Sequence, residues 1–232
     1  MSSADGASLS SLATEAGAVF VKEWRCELRT RSALSTLGLF AFNTLVVVSV
    51  SLGPLGTRST EQTSVLPVLL WVILLFAATA GLPRSFVHEE ETHTATALRL
   101  SARPAAVFLG KQAYGLALVF ALEGIVVPLY LVLMQLPVAE PGLFLATLAA
   151  GGYGLATGST FVAAMVGQAQ ARGTLFAVLA FPVLLPLMIF VVQLTRAAVV
   201  GDDPSDALTV LLLYDASVTV ASLMLFPVVW NP

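Results

Sequence analysis

Three consecutive carboxylates, Glu89, Glu90 and Glu91, stand between the chain's two histidines, His88 and His93, in the segment FVHEEETHTATALRLSARP, 86–104. An imidazole is a proper axial ligand for haem iron. Both histidines, however, lie in one polar stretch that the topology below places on the cytoplasmic side, and they read as loop residues without ligand roles. Cys26 is the single cysteine, so no intrachain disulfide, CxxC redox pair or thiolate metal cluster can form. Ser159 follows Gly158 inside an apolar run, but no such run holds a histidine to activate it, and an intramembrane hydrolase fails on that chemistry. A phosphate-binding GxxxxGK[ST] loop is missing too, since Gly110-Lys111 lacks the upstream glycine and the following hydroxyl. The residues predict no catalytic side chain, no metal and no ATP site on this chain.

The elements that must position these residues are membrane helices. Of 232 residues 57% are hydrophobic and 11% charged, against about 25% charged in a soluble domain. Six apolar runs approach or exceed the roughly 20 residues that cross a bilayer: 34–52, 65–82, 106–134, 143–166, 174–194 and 208–230. Backbone exposed to lipid must satisfy itself, and nothing alternates as barrel strands do, so an all-α bundle is predicted. With the N-terminus inside, the cytoplasmic segments hold Lys22, Arg25, Arg29, Arg31, Arg84, Arg99, Arg103, Lys111 and Arg172, and the outer loops hold Arg58 and Arg196. That asymmetry puts both termini and segment 86–104 in the cytoplasm of a multi-pass protein of the cell (plasma or inner) membrane. The cations flank spans and form no basic face, which argues against nucleic acid.

Residues 1–15 read as a disordered tail without a cleaved signal peptide. Over 16–32, Phe20, Trp24 and Leu28 recur at i, i+4 and i+8 while Lys22, Arg25, Arg29 and Arg31 lie mostly on other faces. The pattern suits an amphipathic helix in the inner interface, Trp24 at headgroup level and Arg25 and Arg29 near anionic lipid; a solvated lead-in is the plainer alternative. The outer segment TRAAVVGDDPSDA, from Thr195, reads as a solvated turn.

Within the spans, Glu123 and Asp215 carry charge where it costs at least about 2.5 kcal/mol. They should face a polar cavity or subunit interface, or glue helices together, with Asn43, Gln193 and Tyr214 as candidate hydrogen-bonding neighbours. Gly154 and Gly158 form a GxxxG step that lets the fourth span approach a neighbour closely. Pro128, Pro182 and Pro186 should bend their helices.

In the polar segment, acidic Glu89–Glu91 precede Thr92, Thr94, Ala95, Ala97, Leu98 and Leu100, with Pro104 as a stop. The residues alone allow a solvated loop or a short helix showing Leu98, Leu100 and its acids to something docking from the cytoplasm. The run EEETHTATALRLS, then Pro104 and FLGK at 108–111, resembles the segment after the second span of ABC exporter permeases. With VKEWRCELRTRS, PVLLWVILLFA and six spans in this length, the chain resembles in particular the CcmB family, haem exporter protein B of cytochrome c maturation. His93 stands where that pattern has glycine, and SARP replaces a tighter Ser-Pro.

The resemblance implies a six-transmembrane-helix ABC exporter permease bundle over 33–232 with an N-terminal interfacial amphipathic helix. It implies a cytoplasmic coupling segment, 84–104, in which Glu89, Glu90, Glu91, Thr94, Leu98 and Leu100 meet a separate ATP-binding cassette subunit. ATP would bind that partner, haem would be a substrate rather than a bound cofactor, and the chain would pair with itself or another permease beside other cytochrome c maturation proteins. Rival readings are an ABC exporter permease for another lipid-like or drug-like substrate, and a non-transporting membrane scaffold.

Overall fold

Apolar runs of this length satisfy their backbone in lipid by coiling, and the computed structural model, which describes residues 2–52, 60–91, 94, 98, 100–166, 172–202 and 206–230, is helical with no strand among them. Helices α1 (Ser2–Thr30) and α2 (Ser32–Leu52) are followed by α3 (Thr60–Gly81), α4 (Arg84–Glu91), α5 (Pro104–Met134), α6 (Pro141–Val166), α7 (Arg172–Val200) and α8 (Ala207–Trp230). Between α4 and α5, the Leu98 N–H donates to the Thr94 carbonyl and the Ala102 N–H to the Leu98 carbonyl, both at 3.1 Å, a helical pattern of bonds. Prolines lie inside α3, α5, α7 and α8 without ending them, as membrane helices tolerate.

Five of the described helices are long and apolar enough to cross a membrane: Ala33–Ser51, Val65–Phe86, Pro104–Met134, Val178–Val200 and Ala207–Trp230. The remaining predicted span, 143–166, forms α6 but is not among the five. Glycines, threonines and Ser159 dilute its hydropathy, and those same small residues let it sit at the centre of the bundle. Gly151 faces Trp71 of α3, Gly152 faces Glu123 of α5, Gly154 faces Asp215 of α8, and Gly158 faces Leu184 of α7. In lipid such close backbone approach, rather than hydrophobic burial, draws helices together.

Three other differences from the sequence reading concern ends and faces. Helix α1 begins at Ser2, so most of the segment predicted as a tail is helical; alanine, leucine and glutamate there favour helix. Helix α7 runs on to Val200, because Thr195 is buried against Trp71, whose indole N–H donates to the Thr195 hydroxyl at 2.8 Å. Gly201, at φ +85°, then stops it, with the Gly201 and Asp202 N–H groups both donating to the Ala197 carbonyl, a left-handed cap that glycine accepts without strain. Third, Trp230, whose place at the end of the last apolar run suits an interface anchor, is buried instead: it stacks on Phe226 at 5.4 Å in a second apolar cluster with Val19, Phe86, Phe108 and Phe161.

Helix α5 has 31 residues, which at about 1.5 Å each span about 46 Å, well over the roughly 30 Å of hydrocarbon. Its first turns therefore have length to spare beyond the apolar layer, and it is against these that α1 and α4 pack.

Candidate functional site

One residue on that overhang organises the polar end of the bundle. Lys111 of α5 is the only lysine or arginine buried among the described residues, its side chain wholly enclosed. A buried ammonium is tolerated only when paired and hydrogen-bonded. Its Nζ lies 2.8 Å from Glu23 Oε1 of α1, 3.0 Å from Glu89 Oε2 and 3.2 Å from the Ser85 carbonyl of α4, and 4.5 Å over the Phe86 ring. Lys22 of α1 adds a second cation, paired with Glu23 at 3.0 Å and hydrogen-bonded to Glu89. Two lysines and two carboxylates from three helices thus neutralise one another at one point.

Helix α1 reaches this point along a stripe of residues four apart. Ser11 accepts from Arg103 Nη2 at 2.9 Å, Glu15 accepts from the Arg103 N–H, and Val19 sits against Gly110, where an added Cβ would come within 2.6 Å of the Val19 Cβ. Glu23 then meets Lys111, and Glu27 accepts the Tyr114 hydroxyl at 3.1 Å. Positions 15 to 27 advance beside 103 to 114 in the same direction, so α1 runs alongside α5. The sequence places Phe20, Trp24 and Leu28 on the face turned to the membrane interface. The structure turns the adjacent acidic face inward: Glu23 and Glu27 are buried, Phe20 and Trp24 stack half-buried at 6.1 Å, and Leu28 is exposed. Arg25 and Arg29 are exposed on the outer side. A run of glutamates at 15, 23 and 27, in step with Val19, was the signal available for this face.

Glu27 has a further role. Its Oε1 accepts the Leu34 N–H at 2.8 Å and its Oε2 the Ala33 N–H at 3.2 Å. Those amides belong to the first turn of α2, which has no helical partners of its own, and a carboxylate there also meets the positive end of the helix dipole. Arg31, at φ 52°, makes the sharp junction between α1 and α2 that allows this.

Of the segment predicted to couple, Glu89 is the member of the acidic triplet that turns inward, to Lys111 and Lys22. Glu90 and Glu91 lie on α4, with side chains outside the described residues. The Thr94 N–H and hydroxyl both donate to the Glu89 carbonyl, at 3.0 and 3.4 Å, holding the chain as it leaves α4. Leu98 packs on the second apolar cluster, whereas Leu100 is 87% exposed. The two leucines therefore do different things: Leu98 seats the segment and Leu100 faces outward.

Among the intramembrane residues, Glu123 lies against Gly152 and Asp215 against Gly154, on different faces of α6. Both are buried, and Glu123 Oε1 and both Asp215 oxygens have no hydrogen-bond partner among the described residues. None of the three neighbours proposed for them serves. Asn43 and Gln193 are exposed, and the Tyr214 hydroxyl donates to the Val183 carbonyl. What does form beside them is a seam that sequence reasoning missed: Gln112 Nε2 donates to the Thr157 hydroxyl at 2.8 Å and to Tyr153 at 3.3 Å, and Tyr153 pairs with Thr219 at 2.9 Å. These are hydroxyls and an amide scattered over α5, α6 and α8, with no local spacing to announce them.

The charge cluster sets a pH window. Burial alone would raise the Glu23 carboxyl, but Lys111 and Lys22 outweigh it and hold it below its ordinary 4.5. Burial likewise disfavours the Lys22 ammonium, yet Glu23 and Glu89 outweigh that and hold it above its ordinary 10.5. The depressed acid contributes stability above its unfolded value, lost as pH falls through the folded one; the raised lysine contributes below its unfolded value, lost as pH rises through the folded one. Docking of α1, followed by Trp24 fluorescence, is expected to be level across neutral pH and to weaken only below 4.5 and above 10.5.

Among the described residues no group of three or more His, Cys, Asp or Glu could hold a metal. The family model described as CcmB protein matches residues 14–230. No curated protein matches.

Proposed function

Because the chain belongs to the CcmB protein family, we propose that it is the membrane permease subunit of an ABC-type haem-export complex in cytochrome c maturation, driven by ATP hydrolysis on a separate subunit. The observation that carries this is the match itself, which runs from within α1 to the last turn of α8. In this reading α6 is the sixth span, both termini are cytoplasmic, and the segment 84–104 takes up movement when two ATP-binding subunits close.

The geometry supports that use of the segment. A part that receives force must be held to the spans by something stiffer than a loop, and α4 is held by Lys111, by Phe86 and by the turn at Thr94. It must also show a face to its partner, which Leu100 does. Haem is then cargo, or part of a haem-loaded chaperone whose release the complex powers. The chain pairs with a second copy or another permease, beside other membrane proteins of the same process.

Leu100→Asp is the clean test, because Leu98→Asp would also unseat the segment. Co-expressed with a candidate ATP-binding cassette subunit, Leu100→Asp is expected to lower co-purification about tenfold, the loss of one apolar anchor against a desolvated surface, while the thermal stability of the chain alone is unchanged. Undiminished association would overturn the docking assignment. A cytochrome c defect in a deletion strain separates haem export from export of another lipid-like or drug-like substrate.

A further inference from the structure

We propose that α1 belongs to the force-receiving element, and that Lys111 is the positioning residue that carries movement of segment 84–104 through α1 into the first span, α2; this rests on the coupling reading above. Lys111 grips α4 at three places, the Glu89 carboxylate, the Ser85 carbonyl and the Phe86 ring, and α1 at one, the Glu23 carboxylate. Lys22 crosses directly from α1 to Glu89. Pulling α4 away from α1 would leave buried charge uncompensated, so the two elements shift together more easily than they separate.

The other end of α1 is as firmly tied. Glu27 accepts the first backbone amides of α2 and the Tyr114 hydroxyl. Between the two, α1 has no slack, since Val19 and the Ala16 carbonyl lie against the bare backbone of Gly110. A contiguous series of charged and backbone contacts therefore leads from α4 to Lys111, to Glu23, along one helical stripe to Glu27, and into the start of α2. Coupling is carried by networks of this kind when both ends bias the same rigid body. In sequence α4 and α2 are separated by the whole of α3, yet through α1 they share a frame.

The test uses the full chain with its ATP-binding subunit in lipid nanodiscs, reading amide hydrogen exchange with and without a non-hydrolysable ATP analogue. In the wild type, nucleotide is expected to change exchange in α4, in α1 over residues 15–27 and at Ala33 and Leu34. The variant Lys22→Gln with Glu23→Gln removes the charges α1 supplies while leaving the Lys111–Glu89 pair, so α4 keeps its seat. This variant is expected to hold the ATP-binding subunit at wild-type level, raise basal exchange in α1 about tenfold, and abolish the nucleotide response at α1 and α2 while preserving it at α4. A merely structural role would not remove that response selectively. A wild-type response at α4 without one at α1, or a variant that keeps all three, overturns the proposal and leaves the coupling reading standing. No response at any of the three overturns both.

Discussion

Lys111→Met is expected to destabilise the chain by about 3–5 kcal/mol, the cost of breaking a buried ion pair from one side. Methionine fills most of the volume and keeps the contact with Phe86, so packing is not what is lost. The loss arises because Glu23 and Glu89, both buried, are left facing one another with only Lys22, whose side chain is 45% exposed, to balance them. Denaturant titration of the purified chain in mild detergent measures the change. The triple variant Lys111→Met with Glu23→Gln and Glu89→Gln should recover most of it, since replacing every member of a buried ionic group often restores stability where removing one does not. A single Lys111→Met variant within about 1 kcal/mol of wild type would mean that water reaches the cluster and screens it.

Gly154→Val carries the other large effect. A Cβ at Gly154 would run into Asp215 and come within 2.5 Å of Leu187 Cδ1, and valine adds two methyl groups beyond it. Helix α6 cannot retreat, because Gly151, Gly152 and Gly158 hold it equally close to Trp71, Glu123 and Leu184. Overpacking of this kind costs about 3 kcal/mol, and displacing Asp215 from its place inside the bundle adds to that. The purified variant should melt at lower temperature or fail to accumulate. Gly124→Val is the control: nothing lies within 4 Å of an added Cβ there, so its stability should stay within about 1 kcal/mol of wild type.

Both effects fall on residues whose importance was partly visible beforehand. Gly154 and Gly158 stand out as a small-residue step, and α6 was expected to use them for packing. What they pack against, a carboxylate in one case and an aliphatic side chain in the other, has no trace in their spacing. In the sequence Lys111 is one more cytoplasmic cation helping to orient the third span, and nothing local announces its complete burial between two carboxylates. Glu123 and Asp215 were recognised as costly and inward-facing from their depth in apolar runs. Their neighbours are not legible there, because several polar residues sit at similar depth and nothing in a linear sequence orders them around the bundle.

By itself, the sequence determined that this chain is a helical membrane protein, roughly where its apolar helices run, and that one polar segment between α3 and α5 differs from every other connection. Those properties are local: the lipid responds to the length and hydropathy of each run, whatever the other runs do. The tertiary structure alone decided which face of α1 turns inward, that Lys111 joins Glu23 to Glu89, and that Trp71 holds Thr195. These partners lie 88, 22 and 124 residues apart, and a buried charge or indole N–H is paid for by a partner in space, which only the folded bundle supplies.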